Sequence, residues 1–185
     1  MTPRDYWASG AGLGNITPAG IEWPEGEFFQ AILKDIVGRS RSVIEVGCGP
    51  GRLAQMFAPG LYRGVDICPA AIDLAREATP SHQFSLIDDA EPFPEADVTL
   101  FHTVLLHIPD GKLASMIARI RSPRVIVGEI LGRRWRRPGN PPVFNRERAD
   151  YEAAFAPARR LARVTAIPYP RYPNTDLSLM EFVPA

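Results

Sequence analysis

The 185-residue chain balances 21 basic against 21 acidic residues and carries two cysteines. That length fits one domain whose single core buries roughly 70% of the unfolded chain's surface, and zero formal charge argues against a broad nucleic-acid face while leaving room for a local basic patch. No apolar stretch approaches the ~20 residues a membrane helix needs, and residues 1–5 lack a signal-peptide apolar region, so a cytoplasmic protein with no membrane partner is expected.

The first twenty residues, rich in Gly, Ala, Thr and Pro around Tyr6 and Trp7, read as an irregular or partly mobile arm, so residues 1–24 are expected as an N-terminal arm ahead of one domain over residues 25–185. Phe28, Phe29, Ile32, Leu33 and Ile36 recur at helical spacing, predicting an amphipathic, core-facing helix over 25–37 that stops at Gly38. Val43-Ile-Glu-Val-Gly-Cys-Gly-Pro-Gly-Arg-Leu53 then sets a β-branched strand ahead of three alternate glycines. Gly47, Gly49 and Gly51 let the backbone turn sharply and approach a ligand closely. The pattern over 52–57 turns helical, which would aim backbone N–H groups and a helix dipole at that ligand.

Further strands are expected at 62–67, 83–88, 98–101, 124–130, 161–167 and 176–183, with helices at 69–78, 111–121 and 146–155. The alternation implies a parallel sheet covered on both faces, with right-handed crossovers. Residues 168–175 are too few for a crossover helix, so the last two strands should be antiparallel neighbours.

A GxGxG loop also occurs in dinucleotide-binding proteins and in ordinary turns. A GxGxxG fingerprint would need glycine at 52, which is arginine. Glu45 would repel a pyrophosphate but suits a cationic ligand bearing an amino acid, as S-adenosylmethionine is. Asp66 ends the second strand, where Rossmann-like folds hold ribose hydroxyls.

With Gly64-Val-Asp-Ile67, Asp89-Ala-Glu-Pro-Phe-Pro94 and Ala96-Asp-Val-Thr-Leu-Phe-His-Thr-Val-Leu-Leu-His-Ile-Pro-Asp110, four motifs follow in order over roughly residues 42–110. On them the chain resembles the class I S-adenosylmethionine-dependent methyltransferases. The resemblance implies a Rossmann-like α/β fold: a seven-stranded, mostly parallel sheet with an antiparallel last strand, helices on both faces, and an N-terminal arm that closes over the cofactor. It implies S-adenosylmethionine as cofactor. Glu45 and the loop of Gly47, Cys48, Gly49 and Gly51 would serve its methionine part, Asp66 its ribose and Ile67 its adenine face. Asp89 and the Ala90 N–H would serve the adenine edge, with Asp88 the competitor one residue out of register. The alternative for Glu45 is a carboxylate capping nearby backbone N–H groups.

A sulfonium methyl is already activated, so orientation, worth about 7–11 kcal/mol, matters more than a base worth about 3–5 kcal/mol. His102, ending the fourth strand beside the expected methyl group, is the candidate base; the competing reading is that it lines the pocket only. His107 is a second candidate, catalytic or merely adjacent to substrate, and His82 is expected at the surface. Cys48 and Cys68 read as small buried residues, and two sulfurs make no zinc site. Arg133, Arg134, Arg136 and Arg137 surround Trp135, fitting either a phosphorylated or nucleotide-linked acceptor or a solvated loop. Asn140-Pro-Pro-Val-Phe144 imitates an amide-methylation motif but follows the fifth strand, and reads as a decoy. Tyr6, Trp7, Tyr151, Tyr169 and Tyr172 are candidate linings of an acceptor pocket.

The leading expectation is O- or N-methylation of a small molecule. Two others compete: a catalytically silent binding or partner protein of the same fold, and an RNA or nucleotide methyltransferase using the Arg133 to Arg137 loop.

Overall fold

The computed structural model describes residues 1–16, 26–88, 90–132, 142–168 and 176–185. Seven strands, β1 (Val43–Val46), β2 (Tyr62–Asp66), β3 (Gln83–Leu86), β4 (Val98–His102), β5 (Arg124–Ile130), β6 (Arg159–Pro168) and β7 (Asp176–Pro184), form one sheet in the order β3-β2-β1-β4-β5-β7-β6. The first five run parallel, and β7 is antiparallel to both β5 and β6. The short link between β6 and β7 brings them together as expected, and β7 inserts beside β5.

Because successive strand residues face opposite ways, the sheet divides its core in two. On one face Phe29 and Leu33 of α2 (Gly26–Val37) and Ile72 and Ala75 of α3 (Pro69–Ala78) pack with Val43, Leu100 and Ile126. On the other, Leu113 of α4 (Asp110–Ala118) and Tyr151 and Phe155 of α5 (Arg148–Phe155) pack with Ile44, Phe101 and Val127. Helix α2 stops at Gly38, whose φ of 60° is costly for other residues and whose N–H closes on Lys34 O at 2.9 Å.

Two sequence expectations fail locally. Residues 52–57 do not open an α-helix; they form a turn and a single 3-10 turn, Ala54–Met56. Pro59-Gly60 ends the segment too soon for an α-helix to propagate, and Leu53, Ala54, Met56 and Phe57 instead tuck into the core. The helix-dipole argument therefore lapses here. The first residues are not irregular either. Pro3–Ala8 form α1, started by a reciprocal cap in which Thr2 Oγ1 accepts from Asp5 N and Asp5 accepts from Thr2 N, both at 3.2 Å. A 3-10 turn, Leu13–Asn15, follows.

The connection from β3 to β4 is pinned to the end of α4. Arg119 donates to Glu91 O at 2.7 Å and lies 4.3 Å from the Phe93 ring, and Phe93 N donates to Arg119 O at 2.9 Å.

Candidate cofactor and acceptor site

From β1 the sheet is built outward to β3, and the chain then returns to place β4 on the other side of β1. Ligands of open α/β sheets bind at this reversal, beyond the carboxyl ends of the strands. Two loops meet there: the glycine loop leaving β1, and residues 103–107 leaving β4. Gly47 has φ of 74°, and a Cβ on it would stand 2.5 Å from Val104 Cγ2. Only glycine satisfies both the backbone and that contact.

Asp66 ties the glycine loop to the end of β2. Its Oδ2 accepts from Gly49 N at 2.8 Å and its Oδ1 from Cys68 N at 2.9 Å. Burial raises its pKa while those amides oppose the shift. The Ile67 amide opposes the shift as well, and a carboxylate with about four lone-pair sites retains capacity for a further donor. The N–H groups of Gly47 and Cys48 are committed to Val65 O, at 2.8 and 3.1 Å. Cys48 is buried and packs on Gly64, where an added Cβ would lie 2.8 Å from its Sγ. Burial pushes the Cys48 thiol well above its ordinary range, so it is a spacer and no nucleophile. Ile67 follows, half-buried.

Glu45 is buried on the α2 face, where the Tyr62 hydroxyl donates to its Oε2. Its acceptor function is thus met by a side chain and not by the backbone cap weighed above. Burial pushes its carboxyl up to about 8, against the Tyr62 hydrogen bond and the Arg52 charge.

His102 is 4% exposed, with its ring 4.7 Å from that of Phe29 and its Nδ1 2.9 Å from the Cβ position of Gly128. Burial, assisted by the charge of Arg52, holds its pKa well below 6.5. An imidazole that resists protonation so strongly is a poor proton acceptor, which favours lining over base chemistry. His107 is half-buried, with Nδ1 2.7 Å from Pro142 O. A carbonyl only accepts, so Nδ1 carries the hydrogen and Nε2 keeps its lone pair. Burial lowers its pKa to about 4.

The N-terminal arm crosses these strand ends. The Cβ position of Gly10 is 3.6 Å from Cys68 Sγ, Ile16 Cδ1 lies 3.4 Å from the Cβ position of Gly49, and the Trp7 ring is 4.4 Å from that of His107. Trp7 Nε1 is buried without a hydrogen-bond partner. Tyr6 serves the arm itself, donating to Ala11 O and accepting from Asn15, both at 3.2 Å.

Other expectations shift. Asp88 Oδ1 accepts from Ala90 N at 2.7 Å and Glu91 N at 3.1 Å, so the Ala90 N–H has a protein partner and Asp88 is a turn former. Asp89, the arginines around Trp135, Tyr169 and Tyr172 lie outside the described residues. Tyr151 belongs to the core. His82 is half-buried, not at the open surface, with Nε2 3.0 Å from Phe57 O. The supposed decoy is also no bystander: Pro142 O meets His107, and Phe144 N donates to Leu106 O at 2.6 Å.

Two buried residues at this edge went unforeseen, Glu129 and Arg146. Glu129 had a readable signal, the lone charge near the end of the apolar run Val125-Ile-Val-Gly-Glu-Ile130, as Glu45 is in β1. Arg146 had none, because its partners are distant in sequence.

Residues 43–123 match the family model described as a methyltransferase domain. Among solved structures, the chain is similar to the magnesium protoporphyrin IX methyltransferase of Synechocystis with bound S-adenosylmethionine, at 20% identity and a TM-score of 0.69 over 98% of this chain and 95% of that one. It is also similar to the 1,6-didemethyltoxoflavin-N1-methyltransferase of Burkholderia thailandensis, at 18% identity and 0.66 over 84% and 76%. A third is the mitomycin 7-O-methyltransferase MmcR, at 19% and 0.61 over 86% and 57%. At these identities the structures establish a shared fold. The sequence match contains the glycine loop, Asp66 and β4, the elements that converge at the sheet's reversal: residues 43–123 are similar to a methyltransferase domain, and the chain shares the fold of the S-adenosylmethionine-dependent methyltransferases named above.

Proposed function

We propose that the protein transfers a methyl group from S-adenosylmethionine to an oxygen or nitrogen of a small-molecule acceptor. The observation that carries this reading is Asp66, a carboxylate fixed by Gly49 N and Cys68 N beside the glycine loop, with acceptor capacity left for a ribose hydroxyl. The arm lying over the strand ends from Cys68 to His107 favours an enclosed acceptor over a macromolecule. The similar structures named for a porphyrin, a toxoflavin precursor and a mitomycin support the same class.

When bound, the cofactor supplies a methyl group already activated by its sulfonium. Glu45, ionising, offers negative charge to the ligand's cationic groups. Ile67 offers an apolar surface for adenine, and Asp89 and Ala90 its polar edge once Asp88 gives up the Ala90 N–H. His102 lines the pocket, and His107 Nε2 accepts a hydrogen bond that orients the acceptor. Orientation is the chief contribution of these residues, consistent with two imidazoles that stay neutral at physiological pH.

Calorimetric titration with S-adenosylhomocysteine, followed by a methyl-transfer assay over small phenols, carboxylates and amines, tests the proposal. Binding with turnover of at least one class is expected. Binding without turnover across all classes would point to the catalytically silent alternative, and no binding would overturn the cofactor assignment.

A further inference from the structure

The turn after β4 is capped by a carboxylate from the adjacent strand. Glu129 on β5 is fully buried, and its Oε1 accepts from the backbone N–H groups of Val104 at 3.0 Å, Leu105 at 2.7 Å and Leu106 at 3.4 Å. These donors open the 3-10 turn Leu105–His107, which has no side-chain cap of its own. Glu129 therefore does across the sheet what an N-cap residue does locally. From the other side Arg146, 2% exposed, donates to Leu105 O at 2.8 Å and Ile108 O at 2.6 Å. One buried side chain gathers the amides of the turn and another its carbonyls.

Core packing alone does not account for a carboxylate here. Val125 and Val127, on the same face of β5, are apolar, and an apolar residue at 129 would avoid the cost of desolvating a carboxyl group. That cost is visible: Oε2 is buried without a hydrogen-bond partner, and burial pushes the group up to about 8. What the carboxyl does make is the contact with residues 104–106. Thr103, just before them, has φ of 54°, a conformation unfavourable for a β-branched residue that persists only where its surroundings impose it. Val104, next, is the residue seated on Gly47.

We propose that Glu129 is a positioning residue for methyl transfer, gathering three amides onto one oxygen to set the turn that presents Thr103 and His107 to the acceptor and seats Val104 against the glycine loop. The proposal rests on the methyl-transfer reading above, and one titration separates the two. If the wild-type chain does not bind S-adenosylhomocysteine, that reading fails whatever Glu129 does. Given wild-type binding, Glu129→Ala is expected to weaken it about tenfold, near 1.4 kcal/mol. Glu129→Gln, which keeps a carbonyl oxygen for the three amides, should stay within about threefold of wild type. Equal affinity in wild type and a folded Glu129→Ala overturns the proposal, as does an equal loss in both variants with unchanged circular dichroism. If Glu129→Ala does not fold, the wild-type amide spectrum decides. Val104, Leu105 and Leu106 should shift together with Gly47 on adding S-adenosylhomocysteine, and three unmoved resonances overturn the proposal.

Discussion

On the β2 side of the sheet's reversal, Asp66 ties the glycine loop to the end of β2 through amides 17 and 2 residues away in sequence. On the β5 side, Glu129 and Arg146 hold residues 104–108 from 23 to 41 residues away. Both sides use a carboxylate, half-buried at Asp66 and fully buried at Glu129, to gather backbone N–H groups, but the first does so within a compact motif and the second only after the sheet has assembled. The β2 side can thus be organised by local backbone geometry, whereas the β5 side depends on the packing of β5 and of residues 142–146.

The contact between the sides is the place to break this contrast. Gly47→Ala is expected to cost about 2–5 kcal/mol, from an unfavourable positive φ and overpacking against Val104, and so to lower Tm by roughly 5–15 °C. The double variant Gly47→Ala with Val104→Ala should recover part of that loss. Thermal melts showing no recovery would place the strain in the loop alone. Asp66→Ala should weaken S-adenosylhomocysteine by roughly 100-fold, given about 1.5–3 kcal/mol for each hydrogen bond to a charged group; unchanged affinity by calorimetry would remove Asp66 from the site.

A smaller effect concerns pH. Glu45 and Glu129 both have carboxyls raised from the ordinary 4.5 to about 8, so between those values the folded chain binds more protons than the unfolded one. Their stabilising contribution is full below about pH 4.5 and is lost as pH rises through 8. Melts from pH 5 to 8.5 should show Tm falling, and Glu129→Gln should flatten the fall; a curve identical to wild type would contradict the buried titration. The smallest effect is expected at His102. With its pKa held well below 6.5, the turnover profile between pH 6.5 and 8 should carry no inflection that disappears in His102→Asn. Such an inflection would restore His102 as a base.

Much of the local structure around the glycine loop was legible beforehand. Glu45, the glycines and Asp66 lie within 22 residues of one another along the chain, and the positive φ at Gly47, Gly49 and Gly51 is a local demand that only glycine meets cheaply. The helix read into residues 52–57 failed because periodicity does not register how little chain precedes Pro59-Gly60. The places of His102 and His107 at and after the end of β4 were legible, but the lowering of their pKa was not, since the desolvation comes from α2, the arm and Pro142. The segment ending at Phe144 was dismissed for following the wrong strand, although pairing of β4 with β5 brings the loops after both strands together.

By itself the sequence determined the order of strands and helices and the antiparallel end of the sheet, because these follow from periodicity and short connections, while the class of cofactor was implied by the resemblance that the four ordered motifs carry. Only the tertiary structure decided that Glu129 and Arg146 hold the turn after β4 and that the arm runs from Cys68 to His107. Those arrangements are made by buried polar groups satisfying backbone atoms far away in the chain, and such partners become adjacent only when the sheet is complete.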